Sequence, residues 1–144
     1  MSSIDNIDTK ILDMLETDGR KSFTQIAKKL GLSEATIRKR VFAMQKKKVI
    51  MGFTVKVNPT KLGLNTGAIV GVDIDPTKLL TVAQNLCTLK ETKCVATASG
   101  DHMVMLEIWT QNARELTKLL TENIEKMEGV KRVCPALILE KLKG

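Results

Sequence analysis

The stretch "SFTQIAKKLGLSEATIRKRVFAM", residues 22–44, constrains the fold more than any other part of this chain. Ser22 is placed to cap a helix whose inner face is Phe23, Ile26, Ala27 and Leu30, and Gly31 ends it. Almost at once Ser33 can cap another helix with the inward stripe Ile37, Val41 and Met44. The small Ala27 lets the two helices approach, Gly31 permits a turn that a β-carbon would strain, and Leu32 and Ile37 fill the angle between them. The pattern predicts a helix, a tight glycine turn and a helix.

A further helix precedes the pair. Ile4, Ile7, Ile11, Leu12 and Leu15 recur at helical spacing, predicting a helix over residues 5–17 that Asp18-Gly19-Arg20 closes with Gly19 as a left-handed cap. With Ile37 set to zero at 100° per residue, Thr36 falls at about −100°, Arg38 at about +100°, Ala35 near 160° and Lys39 near 200°. These four face away from the core; Arg40, at about −60°, lies nearer to it. After Lys48, Phe53, Val55 and Val57 alternate with Thr54 and Lys56, which predicts a strand pair or an outgoing strand. A loop marked by Asn58-Pro59 and Gly63 then separates a first domain, residues 1–57, from a second, 67–144, through a linker at 58–66.

Charge divides the same way. Residues 1–66 carry 13 of the 23 Lys and Arg but 6 of the 16 Asp and Glu, so the whole net charge of +7 lies there. Between Arg20 and Lys48 ten cations face one anion, Glu34. Such a field attracts a polyanion, either nucleic acid or an anionic membrane surface.

The second half alternates element types. "TGAIVGVDI" is a nearly continuous apolar strand, and Asp75-Pro76 supplies a cap and a first-turn proline for a helix with Leu79, Val82, Ala83, Leu86 and Leu89 on one face. "TKCVATAS" and "HMVMLEIW" are two strands joined at Ser99-Gly100-Asp101. Asn112 with Glu115 opens a helix burying Leu116, Leu119, Leu120, Ile124 and Met127, which Gly129 ends. "VKRVCPALILEKL" is a final strand whose Pro135 marks an edge or a bulge. The order βαββαβ predicts a ferredoxin-like sheet with helices on one face. Its other face is hydrophobic enough to meet another subunit.

Several classes fall away. The three cysteines, Cys87, Cys94 and Cys134, are odd in number and apolar in context, and read as buried thiols rather than a disulfide framework. With one histidine and no Cys or His near it, a metal site has little to be built from. No apolar run approaches the roughly 18 residues of a membrane span, and "MSSIDNIDTK" lacks the layout of a signal peptide, so a cytoplasmic location is expected. No converging acid, base and nucleophile, P-loop or GxGxxG is present, which argues against an enzyme and against any cofactor.

Over nearly its whole length the chain resembles the Lrp/AsnC, or feast/famine, transcription regulators of bacteria and archaea, with an archaeal style. "IDNIDTKILDMLETDGRKSFTQIAKKLGLSEATIRKRVFAMQKKKVIMGFTVKVNPTKLG" looks like the family's winged helix-turn-helix DNA-binding domain, and residues 67–144 look like its ferredoxin-like effector-binding and oligomerisation domain. The resemblance implies homodimers that assemble into octamers on double-stranded DNA, and an amino-acid effector bound between subunits near the central hairpin turn. It implies a recognition helix from Ser33 to Met44, with Ser33, Glu34, Ala35, Thr36, Arg38 and Lys39 as contacts to base or phosphate, and Lys21 and Ser22 beside them. Arg40 matches an arginine usual in the family and holds phosphate or braces the fold. The implied effector set is Gly100, Asp101, His102, Met103, Cys134 and Ala136. The family's turn reads Gly-x-aromatic-Asp, whereas His102 and Met103 stand in the last two places here, and Lys48 stands where glycine is frequent.

Phe42, on the outward side of the wheel, is expected to pack beneath the wing or against a partner helix. Two other readings share these features: an architectural, weakly specific nucleoid protein, and a ligand-sensing assembly module for which DNA is secondary.

Overall fold

In the computed structural model, which describes residues 3–144, each helix of the first half starts where the sequence offers an oxygen to the unpaired amides of its first turn. Asp5 caps α1 (Asn6–Thr17) in a reciprocal box with Asp8, and Ser22 caps α2 (Phe23–Leu30) in a second box with Gln25. Ser33 caps α3 (Glu34–Lys46) by accepting from the Thr36 amide at 3.1 Å. Gly31 adopts φ 68°, ψ 33°, the left-handed geometry that only a residue without a β-carbon takes up freely. Ile11, Ile26, Ala27, Ile37, Val41 and Met44 form the core that the three helices share. Truncating Ile26 or Ile37 to alanine there would cost about 2–5 kcal/mol.

Two expectations for this half need correction. Gly19 is not among the glycines with positive φ; α1 ends at an extended Asp18, whose carboxylate accepts from the Arg20 amide at 3.0 Å. Besides Gly31, the left-handed residue of this half is Lys48, at φ 58°, just beyond the end of α3. Its amide donates to the Gln45 carbonyl and that of Val49 to the Met44 carbonyl, the paired bonds of a Schellman C-cap with lysine in the glycine position. Residues 51–57 form no strand: Phe53, Val55 and Val57 keep their alternation but are exposed and pair with no strand in the described unit, so no wing hairpin is formed. Alternation marks a surface able to pair, and a strand needs a partner for its N–H and C=O groups.

The chain divides into two compact units, one ending at Val57 and the other running from Asn58 to Gly144. In the second, β1 (Thr66–Ile74) is central and antiparallel to both β3 (Val104–Thr110) and β4 (Val130–Leu137), with β2 (Thr92–Thr97) outside β3. The order β2-β3-β1-β4 puts Pro135 on an edge strand, where its missing N–H costs least. The register irregularity of β4 lies not at the proline but opposite Asp73 and Ile74.

One face of the sheet packs on α4 (Leu79–Cys87) and α5 (Ala113–Lys118). Ala68, Val70, Val72 and Ile74 of β1 meet Val104, Leu106 and Ile108 of β3 and the helix residues Val82, Leu86, Leu116 and Ile124. The last helix does not run on as an α-helix to Met127: after Lys118 it widens to a π turn over Leu119–Ile124, where the Glu125 amide reaches the Leu120 carbonyl. The thiols are not buried as expected; Cys87 and Cys94 are exposed and Cys134 is half-buried. Cys94 stands opposite Glu107, and Cys134 opposite Gly71, on the face turned away from the helices.

Candidate nucleic-acid interface and effector face

The outward side of α3 is built from its cap upward. The Ser33 and Thr36 hydroxyls lie 2.7 Å apart, so both belong to the cap as well as to the surface. One turn on, the Arg38 guanidinium pairs with Glu34 and lies 5.4 Å from the centroid of the Phe23 ring. Those two partners hold the arginine in one direction although its side chain is 65% exposed. Ala35 and Lys39 are exposed beside it. Lys21, Ser22, Phe23 and Arg38 meet around a shallow cavity of about 330 Å³, which brings the start of α2 to the flank of α3.

Arg40 points elsewhere. Its Nη1 lies 2.7 Å from Asp5 Oδ2 and 2.9 Å from Asp8 Oδ1, so it braces the start of α1 against α3. Hydrogen bonds donated to both carboxylates, Asp5 first, raise its proton affinity above the ordinary arginine value. The Asp8 amide, and then Arg40, hold the Asp5 carboxyl below its ordinary range. A second groove of about 460 Å³ runs along this side of α3, lined by Thr36, Lys39, Arg40 and Lys47.

Phe42 is not packed beneath anything in its unit. It is 62% exposed, with Lys46 Nζ 5.9 Å from its ring centroid. Its outward place on the wheel gave the direction; the wing half of the expectation fails because residues 51–57 form no strand to cover the ring.

On the open sheet face, the structure gathers part of the implied effector set and leaves part apart. The His102 ring lies across Gly71 with Nδ1 3.0 Å from Asp73 Oδ1; Arg132 Nε is 3.3 Å from Asp73 Oδ2 and 3.0 Å from Cys134 Sγ. His102 and Cys134 thus share one cluster, whereas Gly100 and Asp101 stand out on the exposed turn. Met103 packs toward the helix-side core, and Ala136 is paired with Ile69, further along the sheet. Asp73 and Arg132 were missed in the sequence. Their signal was the glycine pair in β1: Gly71 admits the His102 ring, and at Gly67 a β-carbon would come within 2.8 Å of the Trp109 ring. A cavity of about 520 Å³ at the far end of β3, lined in part by Lys90, Trp109 and Lys118, contains none of the six effector candidates. Among the described residues no group of three His, Cys, Asp or Glu is placed to hold a metal ion, and no helix is long and apolar enough to cross a membrane.

Comparison with known proteins agrees with both units. Residues 4–45 match the AsnC-type helix-turn-helix domain and residues 67–144 the Lrp/AsnC ligand binding domain. The HTH-type transcriptional regulator LrpA of Pyrococcus horikoshii is 46% identical over 140 residues, covering 97% of this chain and 99% of that protein, and LrpA of Pyrococcus abyssi gives the same figures. Among solved structures, AsnC of E. coli superposes with TM-score 0.87 at 23% identity, covering 99% of this chain and 96% of that one. The feast or famine regulatory protein of M. tuberculosis, complexed with L-methionine, superposes at 0.91 with 25% identity, covering 99% and 96%. The transcriptional regulator NMB0573 of Neisseria meningitidis, also an L-methionine complex, superposes at 0.90 with 17% identity, covering 99% and 94%. With its two domains matched in this order and near-full-length relatives at 46% identity, the chain belongs to the Lrp/AsnC family of transcription regulators.

Proposed function

We propose that this regulator binds particular sequences of double-stranded DNA in the cytoplasm, as a homodimer that assembles further to an octamer. The observation that carries the reading is the outward stripe of α3. It presents Arg38, Lys39 and Lys46, and the one acid on the helix, Glu34, is taken up by Arg38. Lys21, Ser22, Ser33, Glu34, Ala35, Thr36, Arg38 and Lys39 supply the contacts, and Arg40 contributes by fixing α3 in place. Two recognition helices of a dimer would meet half-sites about one DNA turn, roughly 34–36 Å, apart. If six to ten phosphates are neutralised, raising salt from about 50 to 200 mM weakens binding by roughly 10³ to 10⁵. A mobility-shift titration with a flat salt response would sink this mechanism.

An amino acid tunes the assembly through Gly100, Asp101, His102, Met103, Cys134 and Ala136. The L-methionine complexes of two structural neighbours support that ligand class. Calorimetric titration with each of the twenty amino acids tests it, and silence throughout would leave a regulator independent of such effectors.

A second reading, an architectural protein of the nucleoid, is favoured by Lys46, Lys47 and Lys48, three consecutive cations suited to phosphate on any sequence. Footprinting separates the two: discrete sites spaced by a helical turn support the regulator, and uniform protection supports the architectural role.

A further inference from the structure

We propose that Phe42 reads thymine, its ring packing on the 5-methyl group of the base in the major groove. The inference rests on the reading of α3 as the DNA-facing helix and assigns a sequence preference to one of its side chains. Phe42 lies about 140° from Ile37 on the helix wheel, between Arg38 and Lys46 at the four-residue spacing that stacks side chains in one row. The ring is 62% exposed, and none of the six buried residues of its unit's core is Phe42. It is not there to favour the helix either, since alanine has the higher helix propensity. An aromatic ring left in water on a helix face is therefore accounted for by a partner.

The neighbours select that partner. Lys46 Nζ sits 5.9 Å from the ring centroid, and Arg38 and Lys39 flank it on the preceding turn. A protein surface meeting the ring would have to desolvate these cations. A duplex instead offers phosphates to the lysines while the ring reaches the base edges. The apolar group that base pairs display in the major groove is the thymine methyl, a known contact for phenylalanine.

The test enriches a random double-stranded DNA pool on the full-length protein, then replaces each thymine of the selected site by deoxyuridine, which lacks only the methyl. Affinity is read by fluorescence anisotropy. For the unmodified protein, at least one deoxyuridine weakens binding roughly three- to fivefold, the worth of one buried methyl. Phe42→Ala binds the thymine and deoxyuridine sites alike, and Phe42→Leu retains part of the difference. Both variants should melt as the parent does, because the side chain is outside the core. A pool that yields no preferred sequence overturns the regulator reading and this inference with it. A preferred site that tolerates deoxyuridine at every position, or whose penalty survives in Phe42→Ala, overturns the inference alone. So does a change of oligomeric state in Phe42→Ala, which would assign the ring to a subunit contact.

Discussion

Arg40 Nη1 lies 2.9 Å from Asp8 Oδ1, tying the second turn of α3 to the first turn of α1, and the same nitrogen reaches Asp5 at 2.7 Å. The Arg40 and Asp8 side chains are 29% and 14% exposed, so the link is better sheltered than a surface ion pair yet short of full burial. Exposed pairs contribute up to about 1 kcal/mol, and removing one partner of a buried pair costs about 3–5, so Arg40→Ala should destabilise by about 1–2 kcal/mol in urea unfolding. Arg40→Ala and Asp8→Ala together should cost less than the sum of the two. Loss of DNA affinity with unchanged stability would make Arg40 a phosphate clamp instead.

The same triad predicts an acid response. The Asp5 carboxyl is held below its ordinary 3.8, first by the Asp8 amide and then by Arg40. A depressed folded value means that the ionised group's contribution is complete above pH 3.8 and is lost as pH falls through the lower, folded value. Asp5→Asn keeps an oxygen for the cap but removes the charge. It should lower the melting temperature at neutral pH, and its deficit should shrink on acidification below the ordinary carboxylate range. A deficit independent of pH would mean that the cap geometry, not the charge, carries the effect.

How far the sequence could be read follows from the range of each interaction. Ser22, Ser33 and Gly31 were legible because a cap or turn is settled within about four residues, and the βαββαβ order because each element carries its own period. The wing was not, since Phe53 and Val55 announce a strand without naming its partner. Cys94 and Cys134 were misread because an apolar neighbourhood in sequence does not say which sheet face a side chain occupies. In the candidate site, the outward set of α3 came from the wheel. The division of labour, with Arg38 held by Glu34 and Arg40 by Asp5 and Asp8, depends on contacts that include residues more than thirty positions away.

Lys48 shows how a missed backbone state becomes a test. At φ 58° its β-carbon is crowded against its own backbone, a cost of about 1–2 kcal/mol that glycine does not bear. Glycine is also freer in the unfolded chain, which offsets part of the gain, so Lys48→Gly should stabilise by about 0.5–1 kcal/mol. It also removes a cation, and DNA affinity should fall slightly as stability rises. Destabilisation in urea would show that the lysine side chain holds the cap in a way its geometry does not indicate.

On the open sheet face the critical spacing lies between Gly71 and His102. A β-carbon at Gly71 would overlap the imidazole, which must then leave both the strand and Asp73 Oδ1. Overpacking of this kind costs about 1–3 kcal/mol, so Gly71→Ala should be destabilised by that amount. Removing the ring makes room: His102→Ala in the Gly71→Ala background should restore much of the loss. Equal destabilisation with and without the ring would mean that alanine at 71 strains something other than His102.

The last prediction divides the basic residues of α3. Arg38 is held in one orientation by Glu34 and the Phe23 ring, and a fixed guanidinium can meet a guanine edge with two hydrogen bonds; Lys39 is an exposed point charge. Arg38→Ala should therefore cost about 1–3 kcal/mol on the preferred sequence and little on unrelated DNA, relaxing preference at one position. Lys39→Ala should weaken all sequences alike and reduce the salt slope by about one. Glu34→Ala frees the arginine without removing it, so total affinity should rise as an acid leaves the surface while discrimination falls. Binding isotherms on a preferred and a scrambled duplex at several salt concentrations measure all three. If Arg38→Ala and Lys39→Ala lose affinity equally on both duplexes, this face of α3 attracts DNA by charge and reads none of it.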